Sequence, residues 1–365
     1  MRRIWGVLLA CFLLLPTQAF GQELLEKQLE ELELEQVEGE LADGTSFASL
    51  LDEILTGDFD FSFSNILEEI GELAFGELRL QKALLAELLI VVILSAILRQ
   101  MSGSFYGKSV GEMGFYVCYM VLVVLITTSF YSICASVVTR VEEVNQTFMG
   151  MVPVFLILVA AGGGISKATI LGPTIMGGSA LLSWGIREIF IPAVLLVIAM
   201  EMANHLSERP LLSRFCELVS GCLRWGLKGT AMAFVFLLSL QKIGGDAVHG
   251  ITMKTARIAV HSVPVVGDVM GGAVDTVAAV VGTLQSGMLV AAAIFLLLLC
   301  LPLMIKLAII MIIFKLTAAA AEFICEERLV SCISAAGNYT AILLGVLFLV
   351  EGMFLFSALL LLGGL

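Results

Sequence analysis

Charged side chains inside apolar runs are the residues of this chain best placed to do chemistry. They comprise Glu87, Glu201, Lys306, Lys315, Glu322 and Glu351. A charge in hydrocarbon costs about 2.5–3.5 kcal/mol on insertion scales, so such groups pair between helices, line a polar path or lie near span ends. Glu201 and Lys306 have terminal positions, where the cost is small. Glu87, Lys315, Glu322 and Glu351 are the candidate intramembrane charges. Glu87 and Glu351 lie deeper, and we predict for them a role in helix packing or in a pathway.

Proline and glycine interrupt two apolar stretches in a similar way. The interrupting residues and the carboxylates beside them are Pro153, Gly162, Gly163 and Gly164 in the first stretch, and Pro264, Gly267, Asp268, Gly271 and Asp275 in the second. At membrane depth such breaks survive only where the backbone is buried in protein or lines a cavity. The pattern predicts a broken or re-entrant element at a pore or an assembly interface. An irregular loop at the membrane surface is the alternative.

The densest basic cluster lies in an amphipathic stretch. It consists of Arg209, Arg214, Arg224 and Lys228. Basic residues favour the cytoplasmic side of a membrane, where the surface also carries anionic lipid. We therefore predict a cytoplasmic amphipathic segment at about residues 205–228.

No motif supports catalysis, a cofactor or a metal site. The segment 221–226 has the glycine spacing of a P-loop, but Leu227 stands where that motif needs lysine. His205, His249 and His261 are isolated, without ligand partners at metal spacing. The net charge of −12 excludes a basic nucleic-acid reader. We predict no catalytic, cofactor-binding or metal-binding residues and no nucleic-acid partner.

The positioning elements are membrane helices. The chain is 59% hydrophobic and 14% charged, whereas soluble domains are about 25% charged, which excludes a single water-soluble globule. About 20 apolar residues cross the hydrocarbon core as a helix. The candidate runs are 83–98, 115–138, 148–161, 165–185, 189–203, 230–240, 288–323 (counted twice, with a turn at Pro302 and Lys306) and 339–362. The predicted fold class is an all-α polytopic membrane protein with seven to nine spans, some broken by proline or glycine.

The N-terminal part differs from this body. Residues 1–21 combine Arg2 and Arg3, the apolar run Ile4–Leu15 and a small-residue cleavage site, which predicts a signal peptide; an uncleaved anchor is the alternative. Residues 22–79 carry seventeen acidic and two basic side chains. We expect residues 22–79 to be an acidic extracytoplasmic segment and residues 80–365 to be the polytopic domain.

Several stretches of the body contain residues that are unusual in generic spans. These are 252–260 (TMKTARIAV), 263–267 (VPVVG), 275–277 (DTV), 146–164, 239–241 (SLQ) and 315–319 (KLTAA) with Glu322. In order and spacing they resemble the stage III sporulation protein AE family, from about residue 80 onward. The acidic head is similar to that family only in character.

The resemblance implies a membrane protein of the mother cell in endospore-forming bacteria, placed in the membrane that surrounds the forespore. It implies a channel or secretion-like complex whose other members are proteins of the stage III sporulation A operon. Among these partners are a separate ATPase, ring-forming proteins and a forespore-side channel component. The acidic head would contact the ring proteins, and the basic segment would face the ATPase or anionic membrane lipid.

Two other function classes stay open on the residues alone. An autonomous secondary transporter would use the broken helices together with Glu87 or Glu351 for coupling. An intramembrane enzyme is the weaker alternative, because the sequence offers no pairing of a nucleophile with a base. A secondary transporter should move a solute when the chain is reconstituted alone, whereas a component of a complex should need its partners.

Overall fold

Long α-helices make up the described part of the chain. The structure is a computed structural model that describes residues 47, 49, 51, 54, 63–104, 108–162, 165–206, 212–234, 236 and 266–362. The predicted signal peptide, most of the acidic head, Gly163, Gly164, Arg209 and Pro264 lie outside the described residues. Every element within the described ranges is helical, as the sequence predicts.

The long helices of the described ranges follow one another along the chain. In chain order they are α1 (Phe63–Leu80), α2 (Lys82–Ser104), α3 (Lys108–Ala161), α4 (Ile165–Gly185), α5 (Ile191–Leu206), α6 (residues 213–234), α7 (Val266–Glu322) and α8 (Glu327–Leu362). A π-helical turn, Ile186–Phe190, joins α4 to α5 without a break. Leucine, isoleucine and alanine dominate these segments, and in lipid a helix satisfies its own backbone hydrogen bonds.

An antiparallel hairpin of α7 and α8 forms the centre of the bundle. Its turn is tight, because the Cys325 N–H donates to the Ala321 carbonyl at 2.8 Å. The Cys325 thiol donates to the Val92 carbonyl of α2 at 3.3 Å, which ties the first long helix to this turn. Farther from the turn, Lys315 of α7 donates to the Asn338 side chain of α8. The hairpin is therefore closed at its turn and along its length.

Helix α3 lies against both members of the hairpin and runs parallel to α8. Near its start, Phe115 lies under the Arg328 guanidinium at 4.3 Å. Toward its end, the rings of Phe148 and Phe354 are 4.7 Å apart. The α4–α5 helix then returns along α3, and the Tyr119 hydroxyl donates to the Met202 carbonyl. These contacts bury aromatic side chains along the full length of the core.

The described residues contain fewer candidate spans than the seven to nine predicted. Four helices are long and apolar enough to cross a membrane, and a fifth candidate is α1 with α2, which are bent by 46°. The difference has a clear origin. Helix α3 is continuous through residues 139–147, and α7 is continuous through Pro302 and Lys306, where the sequence predicts breaks. The predicted runs 165–185 and 189–203 belong to one candidate span, Gly172–Leu206. Most of the predicted run 230–240 lies outside the described residues.

These helices are longer than one bilayer requires. The candidate span in α3 has 49 residues, which corresponds to about 74 Å at 1.5 Å per residue. The hydrocarbon core is about 30 Å thick. An upright α3 would therefore extend well beyond a single core.

Candidate functional site

Helix α6 is positioned by a turn that α5 itself closes. The buried Asn204 side chain donates to the Ser213 hydroxyl at 3.0 Å and accepts from the Leu212 N–H at 2.9 Å. From this turn α6 runs back along α5 and the π-helical turn, so that Gly226 faces the Phe190 ring. The predicted amphipathic segment is thus a helix packed lengthwise on the bundle.

A half-open cavity of about 620 Å³ lies between α5, α6 and α8, and most of its lining surface is apolar. Its polar lining consists of Glu201, Ser213, Glu217, Ser220, Arg224, Lys228, Asn338 and Tyr339. The hydroxyls of Ser220 and Tyr339 are 2.8 Å apart and join α6 to α8 across the cavity. Small-molecule sites are mostly apolar clefts of about 300–1,000 Å³ in which a few polar groups fix the orientation of the ligand. The cavity is therefore the first candidate site.

The cavity has an acidic end and a basic end. Glu217 and Arg224 are seven residues apart on α6, which separates them by about 10 Å along the helix. Glu201 lines the acidic end, where burial and hydrogen bonding toward that carboxylate raise the pKa of the Cys216 thiol to about 11. Arg224 and Lys228 form the basic end, so the arrangement can orient a charged ligand.

A buried carboxylate in α8 is the second candidate site. The Glu351 side chain is 5% exposed, and neither of its oxygens makes a hydrogen bond of normal geometry with the described residues. The Cys300 thiol of α7 faces it as a weak donor. An unpaired buried polar group costs about 1–3 kcal/mol. Glu351 therefore lies inside the bundle, and its predicted role in helix packing or in a pathway stays a prediction.

The other predicted intramembrane charges lie on the surface of the bundle. Glu87, Lys315 and Glu322 are exposed, so none of these three side chains lies inside the bundle, and the predicted role of Glu87 in helix packing or in a pathway stays a prediction. On α2 the neighbouring Leu88 takes the buried position instead. Lys315 is tied to α8, where its stem also packs against Gly337.

The first interrupted stretch ends a helix but does not break one at its proline. Pro153 lies exposed inside the continuous helix α3. Gly162 follows the last residue of α3, and a Cβ there would lie 3.0 Å from the Gln285 amide nitrogen. That amide donates to the Leu158 carbonyl at 3.0 Å. Gly162 therefore permits a close approach between α3 and α7.

The second interrupted stretch is helical where the structure describes it. Gly267, Asp268, Gly271 and Asp275 lie in the first turns of α7, a continuous helix of 57 residues. The predicted break between these residues is wrong, since glycine is tolerated inside a long helix at a cost of about 1 kcal/mol.

Two features of the structure were not anticipated from the sequence. Ser213, Ser220 and Tyr339 line the cavity, and the signal for the serines is their spacing of seven residues along one face of α6. The π-helical turn carries Arg187, which pairs with Glu142 of α3 at 2.6 Å. Its signal is the charged pair Arg187-Glu188 between two apolar runs. Among the described residues, no three potential metal ligands come together.

Comparison with known proteins places this architecture in a family. The sequence model of the family described as stage III sporulation protein AE matches residues 45–364. The chain is similar to stage III sporulation protein AE of Bacillus subtilis (strain 168), with 25% identity over 316 residues that cover 84% of this chain and 77% of that protein. No solved structure matches the chain. Because the family match covers both candidate sites and the helical bundle around them, the chain belongs to the stage III sporulation protein AE family.

Proposed function

We propose that the chain is the polytopic, non-enzymatic membrane core of a channel or secretion-like complex that links the mother cell to the forespore. The observation that carries the proposal is the family match over residues 45–364. Among the described residues, it spans every helix that is long and apolar enough to cross a membrane. Such helices supply the membrane part of an assembly whose energy comes from a separate ATPase.

The uneven charge of the chain suggests how the partners are arranged. Residues 22–79 carry seventeen acidic side chains, and in this proposal they contact ring-forming proteins between the two membranes. Arg214, Arg224 and Lys228 are exposed on α6, and they face the mother-cell cytoplasm. Exposed charges of this kind steer partners and set orientation more than they add affinity.

Cysteine accessibility in intact sporulating cells tests the conduit role. Single cysteines replace Asp268 and Asp275 in the first turns of α7, and a third replaces Ala291, which is fully buried in the same helix. The native cysteines are first removed, above all Cys222, the exposed one among those described. A membrane-impermeant thiol reagent is then applied with and without the partner proteins.

The proposal predicts labelling at positions 268 and 275 that depends on the partners, with position 291 unlabelled. Labelling that ignores the partners, or no labelling at 268 and 275, would remove the conduit role and leave a scaffold. In parallel, Asp268→Ala and Gly267→Leu should block sporulation without loss of the protein. Normal spore yield from both variants would count against this element.

A secondary transporter is a second candidate, and buried Glu351 is the observation that favours it. Carboxylates inside a membrane bundle are typical of proton relays. Purified chain is reconstituted alone into vesicles that hold a pH gradient, which a trapped pH-sensitive dye reports. Dissipation by the wild type and not by Glu351→Gln would support the transporter. An intact gradient with both proteins would favour a component that needs its partners.

A further inference from the structure

Helix α6 exposes a continuous apolar stripe. Phe215, Leu218, Trp225, Met232 and Phe236 recur at spacings that place them on one face of a helix. All five are exposed, and the Trp225 side chain is 80% exposed. The opposite face, with Cys216, Leu223 and Phe234, is the one buried against the bundle. The stripe therefore faces away from the protein along about six helical turns.

Two cations border this stripe without a counter-charge. Arg224 and Lys228 are one turn apart, and neither lies within 4 Å of a carboxylate among the described residues. The Arg224 Nε donates to the Ser220 carbonyl at 3.3 Å, which holds the guanidinium at the edge of the cavity. Arg214 lies near the start of the same helix and differs from these two cations, because it pairs with Glu217 at 3.5 Å.

The basic end of the cavity offers donors that suit a phosphate. Arginine and lysine are donors only, and arginine contacts a phosphate through two parallel N–H groups. The Tyr339 hydroxyl lies on the same lining and adds a third polar group. Glu217 is seven residues from Arg224 along α6, which is about 10 Å, so it does not oppose an anion bound beside Lys228.

We propose that α6 binds an anionic phospholipid, with the phosphate on Arg224 and Lys228 and an acyl chain against the part of the stripe that contains Trp225. An apolar face edged by cations is complementary to an amphiphilic anion. A soluble anion would leave the stripe uncovered, and an apolar protein surface would leave both cations unpaired. The lipid satisfies both features at once. The site is independent of whether the chain forms a conduit.

The fluorescence of Trp225 directly reports lipid binding, because Trp225 belongs to the stripe and is the neighbour of Arg224 in the sequence. The full chain, with Trp5→Phe and Trp184→Phe, is placed in nanodiscs of phosphatidylcholine that contain a small and varied fraction of brominated lipid. Brominated acyl chains quench tryptophan fluorescence on contact. One series uses brominated phosphatidylglycerol and the other brominated phosphatidylcholine. Arg224→Gln with Lys228→Gln is the test variant, and Arg214→Gln on the same helix is the matched control.

We expect half-maximal quenching at a roughly tenfold lower fraction of phosphatidylglycerol than of phosphatidylcholine, since each basic residue adds to the affinity for an anionic lipid. The double variant should lose this preference, and Arg214→Gln should keep it. Unchanged elution in gel filtration shows that the variants fold.

Three results would overturn the proposal. Equal quenching by both lipids would mean a lipid-facing surface without a headgroup site. Quenching by neither would mean that protein covers the stripe. Loss of the preference on adding glycerol phosphate in low millimolar amounts would mean a site for free phosphate esters.

Discussion

Replacing Glu351 with leucine should stabilise the protein, because the carboxylate is buried without a normal hydrogen bond. Removing an unsatisfied buried polar group recovers its desolvation cost, about 1–3 kcal/mol. Leucine has a similar volume and adds apolar contacts in a core that includes Val350 and Phe354. Glu351→Gln keeps a polar group in the same place, so its stability should change by less than about 1 kcal/mol.

The assay is thermal unfolding of the purified chain in detergent, followed by tryptophan fluorescence. A gain of 1 kcal/mol raises the midpoint by roughly 2–4 °C in domains of moderate size, so Glu351→Leu should raise it by several degrees. Glu87→Leu is the matched control, because Glu87 is exposed on α2. Its midpoint in detergent should stay close to that of the wild type.

The Cys300 thiol is the group that could invalidate this reasoning. If it makes a real hydrogen bond to Glu351, Glu351→Leu would lower the midpoint. Cys300→Ala combined with Glu351→Leu would then depart from the sum of the single effects. Our reasoning predicts additivity within about 0.5 kcal/mol. A lower midpoint for Glu351→Leu, or clear non-additivity, would refute it.

Two further predictions concern contacts between helices. Tyr339→Phe removes the 2.8 Å hydrogen bond to Ser220 and should lower the free energy of unfolding by about 0.5–1.5 kcal/mol. Adding Ser220→Ala to this variant should cause little further loss, because the bond is already gone. A second loss of the same size would show that the two hydroxyls are not coupled. Gly162→Ala places a Cβ 3.0 Å from the Gln285 amide nitrogen and should destabilise the protein by about 1–3 kcal/mol. The Cβ of Gly282→Ala meets nothing within 4 Å, so this variant should stabilise the protein by about 0.5–1 kcal/mol. Unfolding midpoints in detergent measure both, and equal signs for the two alanine variants would contradict the packing argument.

The all-helical fold class and the family could both be predicted from the sequence, because each depends on local sequence patterns. Several apolar runs are long enough to span a membrane, and the sequence blocks around residues 252–277 are specific enough to indicate the family. The burial of Glu351 could also be anticipated, since apolar residues surround it on all sides of its helix. The cavity between α5, α6 and α8 could not be predicted, because Tyr339 and Ser220 are 119 residues apart in sequence and meet only through tertiary packing.

The errors in the span count share a physical cause. Hydropathy reports where a side chain prefers water, whereas a helix ends where its backbone hydrogen bonds find other partners. Residues 139–147 are polar enough to predict a loop, yet Arg140 pairs with Glu143 at 2.9 Å and Glu142 with Arg187 at 2.6 Å on the outside of the bundle. Those pairs satisfy the charges without using the backbone, so α3 continues through them. The charges predicted to mark a turn instead lie at one level of the bundle. The apolar segment beyond the polar stretch, residues 148–161, is about 21 Å long, which is shorter than the hydrocarbon core of about 30 Å, so this segment alone is too short to cross a membrane.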